Sequence, residues 1–158
     1  MTKVPELFTM DDIEDIKQAI MLAELDTSAE IRVHIETEPN GNCETNAAEC
    51  FLNYTMNRTK EKNGLLIYLA LTNRRFCIHY DEGIRKIIPP DFWVVINQKF
   101  LTRISSGNYV EGIIEVIQQT GAQLKKFFPR KPGDINQLAD EVTFISSLSI
   151  KSEFEPEC

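Results

Sequence analysis

The chain has 158 residues, of which 24 are acidic and 17 basic, and its formal net charge is −7. This acidic balance argues against a nucleic-acid partner, because phosphate binding depends on an excess of Lys and Arg, and against docking on an anionic membrane surface. The length predicts a single acidic, globular domain that is able to bury a sizeable core.

The sequence lacks the signals of secretion and of membrane insertion. No apolar run approaches the roughly 20 residues that span a bilayer, and the first residues lack the apolar segment of a secretion signal. The four cysteines, Cys43, Cys50, Cys77 and Cys158, form no CxxC pair, which excludes zinc-ribbon and thioredoxin-like motifs. We therefore expect a soluble, cytoplasmic protein with reduced, inert thiols and no direct membrane insertion.

The first elements follow from capping and periodicity. Thr9 and Asp12 have the spacing of a capping box and open an amphipathic helix that runs to about Leu25. Apolar residues then alternate with polar ones over residues 31–36, which predicts a half-buried strand with one face partly wet. Residues 45–57 follow as a second helix, which buries Leu52 among other apolar side chains.

The middle of the chain carries the strongest strand signal. Residues 65–71 are almost entirely apolar, as expected for a central strand covered on both faces. The segment at 72–74 is too short for anything but a hairpin turn, so residues 76–80 are expected to return as the next strand. A short helix follows after Gly83. Two longer helices come next: one over about 91–104, with Val95 in its apolar stripe, and one over about 109–127.

The end of the chain is polar and irregular. We assign residues 1–145 to one domain, in which residues 142–145 could add a short strand or an apolar anchor. Residues 146–158 are expected to form a disordered acidic tail.

Strand directions gather polar residues at one end of the predicted sheet. A right-handed strand–helix–strand crossover makes the first two strands parallel, and the hairpin makes the third antiparallel. The starts of the first two strands and the end of the third therefore lie at the same end of the sheet. The polar residues expected there are Thr27, Ser28, Glu30, Arg58, Asn63, Asp81 and Glu82. The fold class is α/β: a three-layer α/β/α sandwich around a short mixed sheet.

This polar end suggests a cation site. The carboxylates of Glu30, Asp81 and Glu82 suit a hard metal ion such as Ca²⁺ or Mg²⁺, which could hold a phosphate or polarise water. Asp81 and Glu82 are then the catalytic candidates, whereas Ser28, Glu30, Arg58 and Asn63 are the binding candidates. The alternative is that the same residues only cap helices and shape turns.

The two histidines offer a second metal hypothesis. His34 and His79 both fall on predicted strands and could form a metal pair if those strands were neighbours in matching register. Otherwise each is a structural histidine satisfied by hydrogen bonds.

Several short motifs together resemble a known family. They are SAEIRV at residues 28–33, RTKEKNGLLIY at 58–68 and RRF at 74–76, and the similarity continues to Phe128-Pro129. In this order and spacing they resemble the TPM domain family, which includes a thylakoid-lumen acid phosphatase and many bacterial proteins. The segment NQLADEV at 136–142 resembles the tail of a short bacterial branch that has no secretion signal.

The resemblance implies two functions of different classes. One is a non-catalytic interaction module that binds a protein partner and assists a membrane-associated assembly. The other is a divalent-metal-assisted acid phosphatase acting on a phosphorylated small molecule. The sequence contains no clear nucleophile or base and no phosphate-binding loop, which favours the interaction module.

Overall fold

The computed structural model describes residues 8–72, 74–131, 143–144 and 147–150. Its helices are α1 (Met10–Glu24), α2 (Cys43–Asn53), α3 (Glu82–Ile87), α4 (Pro90–Ser105) and α5 (Tyr109–Phe127), with a 3₁₀ turn at Met56–Arg58. Its strands are β1 (Glu30–Glu36), β2 (Gly64–Ala70), β3 (Arg75–Tyr80), β4 (Thr143–Phe144) and β5 (Ser147–Ile150).

The strands form one mixed sheet in the order β3-β2-β1-β5-β4. β1 runs parallel to β2, from Glu30 opposite Gly64 to Glu36 opposite Ala70. β3 returns antiparallel beside β2, with Leu65 opposite Tyr80. The strand directions expected from the crossover and the hairpin are therefore confirmed.

Helices cover both faces of the sheet, which confirms the three-layer sandwich. On one face, α1, α4 and α5 bury a large apolar core against alternate residues of β1 and β2. On the other face, α2 packs Ala47 and Phe51 against Leu66, Tyr68 and Ala70 of β2. Every residue of β2 is buried, as its apolar sequence predicted. No helix in the described ranges is long and apolar enough to cross a membrane.

The expectation of a partly wet face on β1 is wrong. Arg32 is only 2% exposed and His34 only 5% exposed. The cause is tertiary: the Arg32 guanidinium lies 4.0 Å from the ring centroid of Tyr54, the residue that ends α2. The alternation of polar and apolar residues therefore marks two differently covered faces of β1.

Two apolar side chains that we expected in the core are exposed instead. Leu52 is 58% exposed and Val95 is 47% exposed. In each case a neighbouring pair four residues apart faces the core, Ala47 with Phe51 in α2 and Ile96 with Phe100 in α4. One residue on a helix is about 100° of rotation, which turns Leu52 and Val95 away from the core.

The second helix is shorter than predicted, and the sheet is wider. α2 ends at Asn53, and Thr55 adopts a left-handed backbone conformation (φ 54°) before the 3₁₀ turn. Residues 147–150, which we expected in a disordered tail, form β5 and pair antiparallel with β1. This pairing satisfies backbone groups along the second edge of β1, which would otherwise be open.

The other expectations for the C-terminal segment have mixed outcomes. Residues 143–144 form β4, within the range where a short strand was expected. The expectations for residues 142, 145, 146 and 151–158 lie outside the described residues.

The core assignment of β2 makes a stability prediction. Ile67 is fully buried at the centre of the sheet, so Ile67→Ala should lower the free energy of unfolding by about 2–5 kcal/mol, through lost transfer energy and a residual cavity. Urea denaturation measures this change. The exposed residue Val94 (54% exposed) provides a matched control, because Val94→Ala should change stability far less. Equal losses for the two variants would contradict the assignment.

Candidate functional site

The polar groups at the start of β1 and β2 do share one end of the sheet. Glu30 lies opposite Gly64, and the Asp81 backbone N–H donates to the Gly64 carbonyl at 3.1 Å. Glu30 and Asp81 therefore flank Gly64, the first residue of the central strand. We call the group Ser28, Glu30, Asn63 and Asp81 the polar end.

A hydrogen-bond network holds the centre of the polar end. The Ser28 hydroxyl donates to Glu61 Oε2 at 2.7 Å and accepts from Asn63 Nδ2 at 3.1 Å. The Asn63 backbone N–H in turn donates to Thr59 Oγ1 at 2.9 Å. Ser28, Asn63 and Thr59 are all buried, so this network fixes the connector, residues 59–63, that leads into β2.

Close backbone contacts position the same connector. A Cβ atom on Gly64 would lie 2.6 Å from the Met56 carbonyl oxygen, and one on Gly83 would collide with the carbonyl oxygens of Glu61 and Lys62. Only glycine allows these approaches. The start of β2 and the start of α3 are thereby pressed against the connector that carries Glu61 and Asn63.

Two oxygen atoms at the polar end are buried without a partner. Asn63 Oδ1 and Asp81 Oδ2 have no hydrogen-bond partner among the described residues. A buried acceptor left unsatisfied costs on the order of 1–3 kcal/mol. Amide and carboxylate oxygens are also the ligands that Ca²⁺ and Mg²⁺ prefer. These two atoms therefore have the chemistry of cation ligands.

Asp81, Glu82 and Arg58 also have structural positions that follow from the local sequence. Asp81 is the N-cap of α3, and its Oδ1 accepts from the Glu82 backbone N–H at 2.8 Å. Glu82 is exposed and lies 3.9 Å from the Lys86 ammonium. Arg58 is exposed at the end of the 3₁₀ turn. Asp81 therefore caps α3 through Oδ1, whereas its Oδ2 is buried and has no hydrogen-bond partner among the described residues.

The described residues contain no group of three or more His, Cys, Asp or Glu side chains that could hold a metal ion. Glu30, Asp81 and Glu82 accordingly do not form such a group by themselves. A cation at the polar end would depend on other oxygen atoms as well, of which Asn63 Oδ1 is the one without a partner.

A polar cleft lies at the opposite end of β1, where the sequence indicated only His34, as one half of a possible histidine pair. It has a volume of ≈ 330 Å³ between β1 and α2, and it is lined by His34, Glu36, Asn40, Asn46, Glu49, Cys50, Asn53 and Tyr54. The cleft opens at the carboxyl end of a parallel strand, the usual position of ligands in open α/β sheets. The sequence signal for this cleft is the alternation of polar and apolar residues along β1, because that alternation places His34 and Glu36 on the same face of the strand.

Glu36 is held as a carboxylate within this cleft. His34 Nε2 lies 3.2 Å from Glu36 Oε1, and the Tyr68 hydroxyl donates to the same oxygen at 3.1 Å. These contacts lower the pKa of Glu36, the hydrogen bond to His34 most of all. Burial raises the pKa of the nearby Cys50 to about 12, so its thiol stays protonated. The cleft thus combines a fixed negative charge with an unreactive thiol.

The two histidines do not form a metal pair. β2 lies between their strands, with Tyr68 opposite His34 and Leu66 opposite His79. Each histidine packs against an aromatic ring instead: His34 stacks on Tyr68 with ring centroids 5.6 Å apart, and His79 meets Phe51 edge-on at 4.7 Å.

Comparisons with known proteins agree with this architecture. The NMR structure of BA42 from the psychrophilic bacterium Bizionia argentinensis is similar over 87% of this chain and 95% of its own, with 36% identity and a TM-score of 0.79. The N-terminal domain of a protein from P. gingivalis shares the fold, with 22% identity, a TM-score of 0.61, and coverage of 77% of this chain and 78% of its own. No functionally curated protein matches the chain.

The family follows from a match that covers most of the sequence. The model of the TPM domain matches residues 2–123, a range that contains all of the polar end and β1 to β3. The chain belongs to the TPM domain family.

Proposed function

We propose that this TPM domain is a non-catalytic interaction module that works in the cytoplasm. In this proposal it binds a protein partner of a membrane-associated assembly through α4, while its polar end holds Ca²⁺ or Mg²⁺ without turnover. The observation that carries the proposal is the exposed apolar surface of α3 and α4. Family membership supports the assembly role by analogy only, because function depends on the site and not on the fold.

The exposed apolar residues are concentrated in one short stretch. Among the described residues, four of the eight exposed large apolar side chains lie between positions 87 and 101: Ile87, Val94, Val95 and Leu101. Val94 and Leu101 are seven residues apart and so lie on the same side of α4. Exposed apolar side chains on one side of a helix are suited to a protein–protein contact.

The core side of α4 is already occupied. Trp93, Ile96, Phe100 and Ile104 are buried against the rest of the domain. Trp93 stacks on Tyr80 of β3 with ring centroids 4.6 Å apart. The exposed side chains of α4 are therefore additional to what the fold needs, and the helix that presents them is rigidly held.

The polar end has a supporting role in this proposal. A divalent cation bound to Asn63 Oδ1 and Asp81 Oδ2 would satisfy two buried acceptors, and it would tie the connector before β2 to the N-terminus of α3. It would act there as a structural cofactor that fixes the start of the α3–α4 segment.

One contact favours the hydrolase alternative. The Ser28 hydroxyl donates to the Glu61 carboxylate at 2.7 Å, which is the hydrogen-bonded pairing of a nucleophile with a base. A metal-assisted phosphatase acting on a phosphorylated small molecule would use Ser28 as nucleophile and Asp81 as a metal ligand. Against it, Ser28 is only 8% exposed and also accepts a hydrogen bond from Asn63.

The interaction surface makes a binding prediction. Val94→Asp combined with Leu101→Asp should weaken capture of the cellular partner at least about tenfold, because roughly 1.4 kcal/mol of lost apolar contact already corresponds to that factor. Affinity capture from the source cells with quantitative mass spectrometry measures the loss.

The control adds the same charge elsewhere. Gln18→Asp combined with Gln118→Asp alters exposed polar residues on α1 and α5 and should leave capture unchanged. Both double variants should keep the wild-type melting temperature to within a few degrees. Equal capture by all three proteins would contradict the assignment of the surface to α4.

The catalytic alternative makes the opposite prediction about turnover. If the module is non-catalytic, the chain should not hydrolyse an aryl phosphate above background with Ca²⁺, Mg²⁺ or a chelator. Cation-dependent hydrolysis that is lost in both Ser28→Ala and Asp81→Asn would establish the phosphatase instead. Ser106→Ala, which removes an exposed hydroxyl on another loop, is the matched control.

A further inference from the structure

Two cysteines that are distant in the sequence lie side by side in the fold. Cys43 is the first residue of α2 and Cys77 lies in β3, and their sulfur atoms are 3.4 Å apart. The Cys77 thiol also lies 3.4 Å from the Cys43 carbonyl oxygen. Both are free thiols in the structure.

The packing of α2 on the sheet creates this contact. Cys77 lies opposite Tyr68 of β2, on the face of the sheet that α2 covers. Asn42 caps α2, with its Oδ1 accepting from the Thr45 backbone N–H at 3.0 Å, and so fixes the helix start where Cys43 lies. The two thiols are therefore held together by a capped helix and a paired strand.

The environments of the two sulfurs differ in a way that suits redox chemistry. The side-chain contact with Cys77 lowers the pKa of Cys43. The same contact, together with burial, raises the pKa of Cys77. Two adjacent thiols with different pKa values are the arrangement in which one sulfur reacts first, as its thiolate, and the other resolves the product.

We propose that Cys43 and Cys77 are a reversible redox site that closes to an intramolecular disulfide when the protein meets hydrogen peroxide. Cys43 is 7% exposed and Cys77 is more accessible, so a very small oxidant reaches the pair more readily than a bulky disulfide would. The two sulfurs need to approach by about 1.4 Å to reach the length of a disulfide bond. This function is independent of the proposed role of α4.

The chemistry balances in two steps. The Cys43 thiolate attacks one peroxide oxygen, the O–O bond breaks, and the departing hydroxide takes a proton to become water, which leaves a sulfenic acid on Cys43. The Cys77 sulfur then attacks the sulfur of that sulfenic acid. The S–S bond forms, the S–O bond breaks, and the hydroxide released takes the Cys77 proton as a second water. Two thiols lose two electrons in total, and one hydrogen peroxide is reduced to two waters.

The disulfide would act on the polar cleft as well. It would tie the N-terminus of α2 to β3, and Asn46, which lines the cleft, lies within one turn of Cys43. Oxidation would thereby fix one wall of the cleft, and thiol reductants would release it.

Peptide mapping tests the site directly. A full-length Cys50→Ser protein leaves Cys43 as the only cysteine in the tryptic fragment 33–58, while Cys77 lies in fragment 76–85. After peroxide treatment and digestion without reductant, these two fragments should appear joined as the main oxidation product. Dithiothreitol should separate them. In the Cys77→Ser variant, Cys43 should instead accumulate as a sulfenic acid that dimedone traps.

Several results would overturn the proposal. They are a bond from either fragment to the C-terminal cysteine fragment 152–158, disulfide-linked dimers as the main product, or Cys43 still reduced when other thiols have been oxidised. If Cys77→Ser does not fold, the map of the Cys50→Ser protein alone decides the matter. The joined fragments from oxidised wild-type protein are also sequenced by mass spectrometry, which checks that the Cys50→Ser substitution does not change which cysteines pair.

Discussion

The parallel pairing of β1 with β2 at Gly64 is the constraint on which both polar regions depend. It sets Glu30 beside the first residue of the central strand and Asp81 on that residue's other side. Gly64 has no side chain, so the Met56 carbonyl can approach to 2.6 Å of the position that a Cβ would occupy. Any larger residue would push the connector outward and separate the groups that it holds.

The same register places a row of polar residues under α2. Glu30, Arg32, His34 and Glu36 alternate with apolar residues along β1, so they share one face of the sheet. The first three of them are buried, which is costly unless each one is paired. α2 and Tyr54 cover this row, and its ends become the polar end and the polar cleft. β1 therefore buries polar side chains on one of its two covered faces, whereas strands covered on both faces are usually apolar throughout.

Local sequence rules were sufficient to place the helices and strands from α1 to α5, and the directions of β1, β2 and β3, but not the end of α2 or β5. The Thr9–Asp12 capping box is present in the structure with both of its hydrogen bonds. The apolar run of β2 identified the central strand because it is covered on both faces, and the hairpin and crossover rules then brought Glu30 and Asp81 to one end. The TPM resemblance agreed with this architecture and with the family match.

The features that sequence reasoning missed arise from tertiary packing. The contact between Cys43 and Cys77 depends on how α2 crosses β3, which no local pattern encodes. The cleft combines residues of a strand, a turn and a helix, and no spacing rule links Glu36 to Asn53. The return of β5 to β1 joins residues more than a hundred positions apart, such as Val33 and Ile150. The four residues of β5 are too few, and half of them too polar, for the sequence alone to identify a strand there.

The proposal that depends most closely on the register of β1 and β2 is that the polar end binds a divalent cation through Asn63 and Asp81. Titration of the ¹⁵N-labelled chain with Ca²⁺ and with Mg²⁺, followed residue by residue in amide NMR spectra, tests it most directly. We expect the amide signals of Asn63, Gly64 and Asp81 to shift first and to saturate, and Asn63→Ala to abolish the effect. First shifts at Glu36 and Glu49 in the polar cleft, or no saturable shift with either ion, would contradict it.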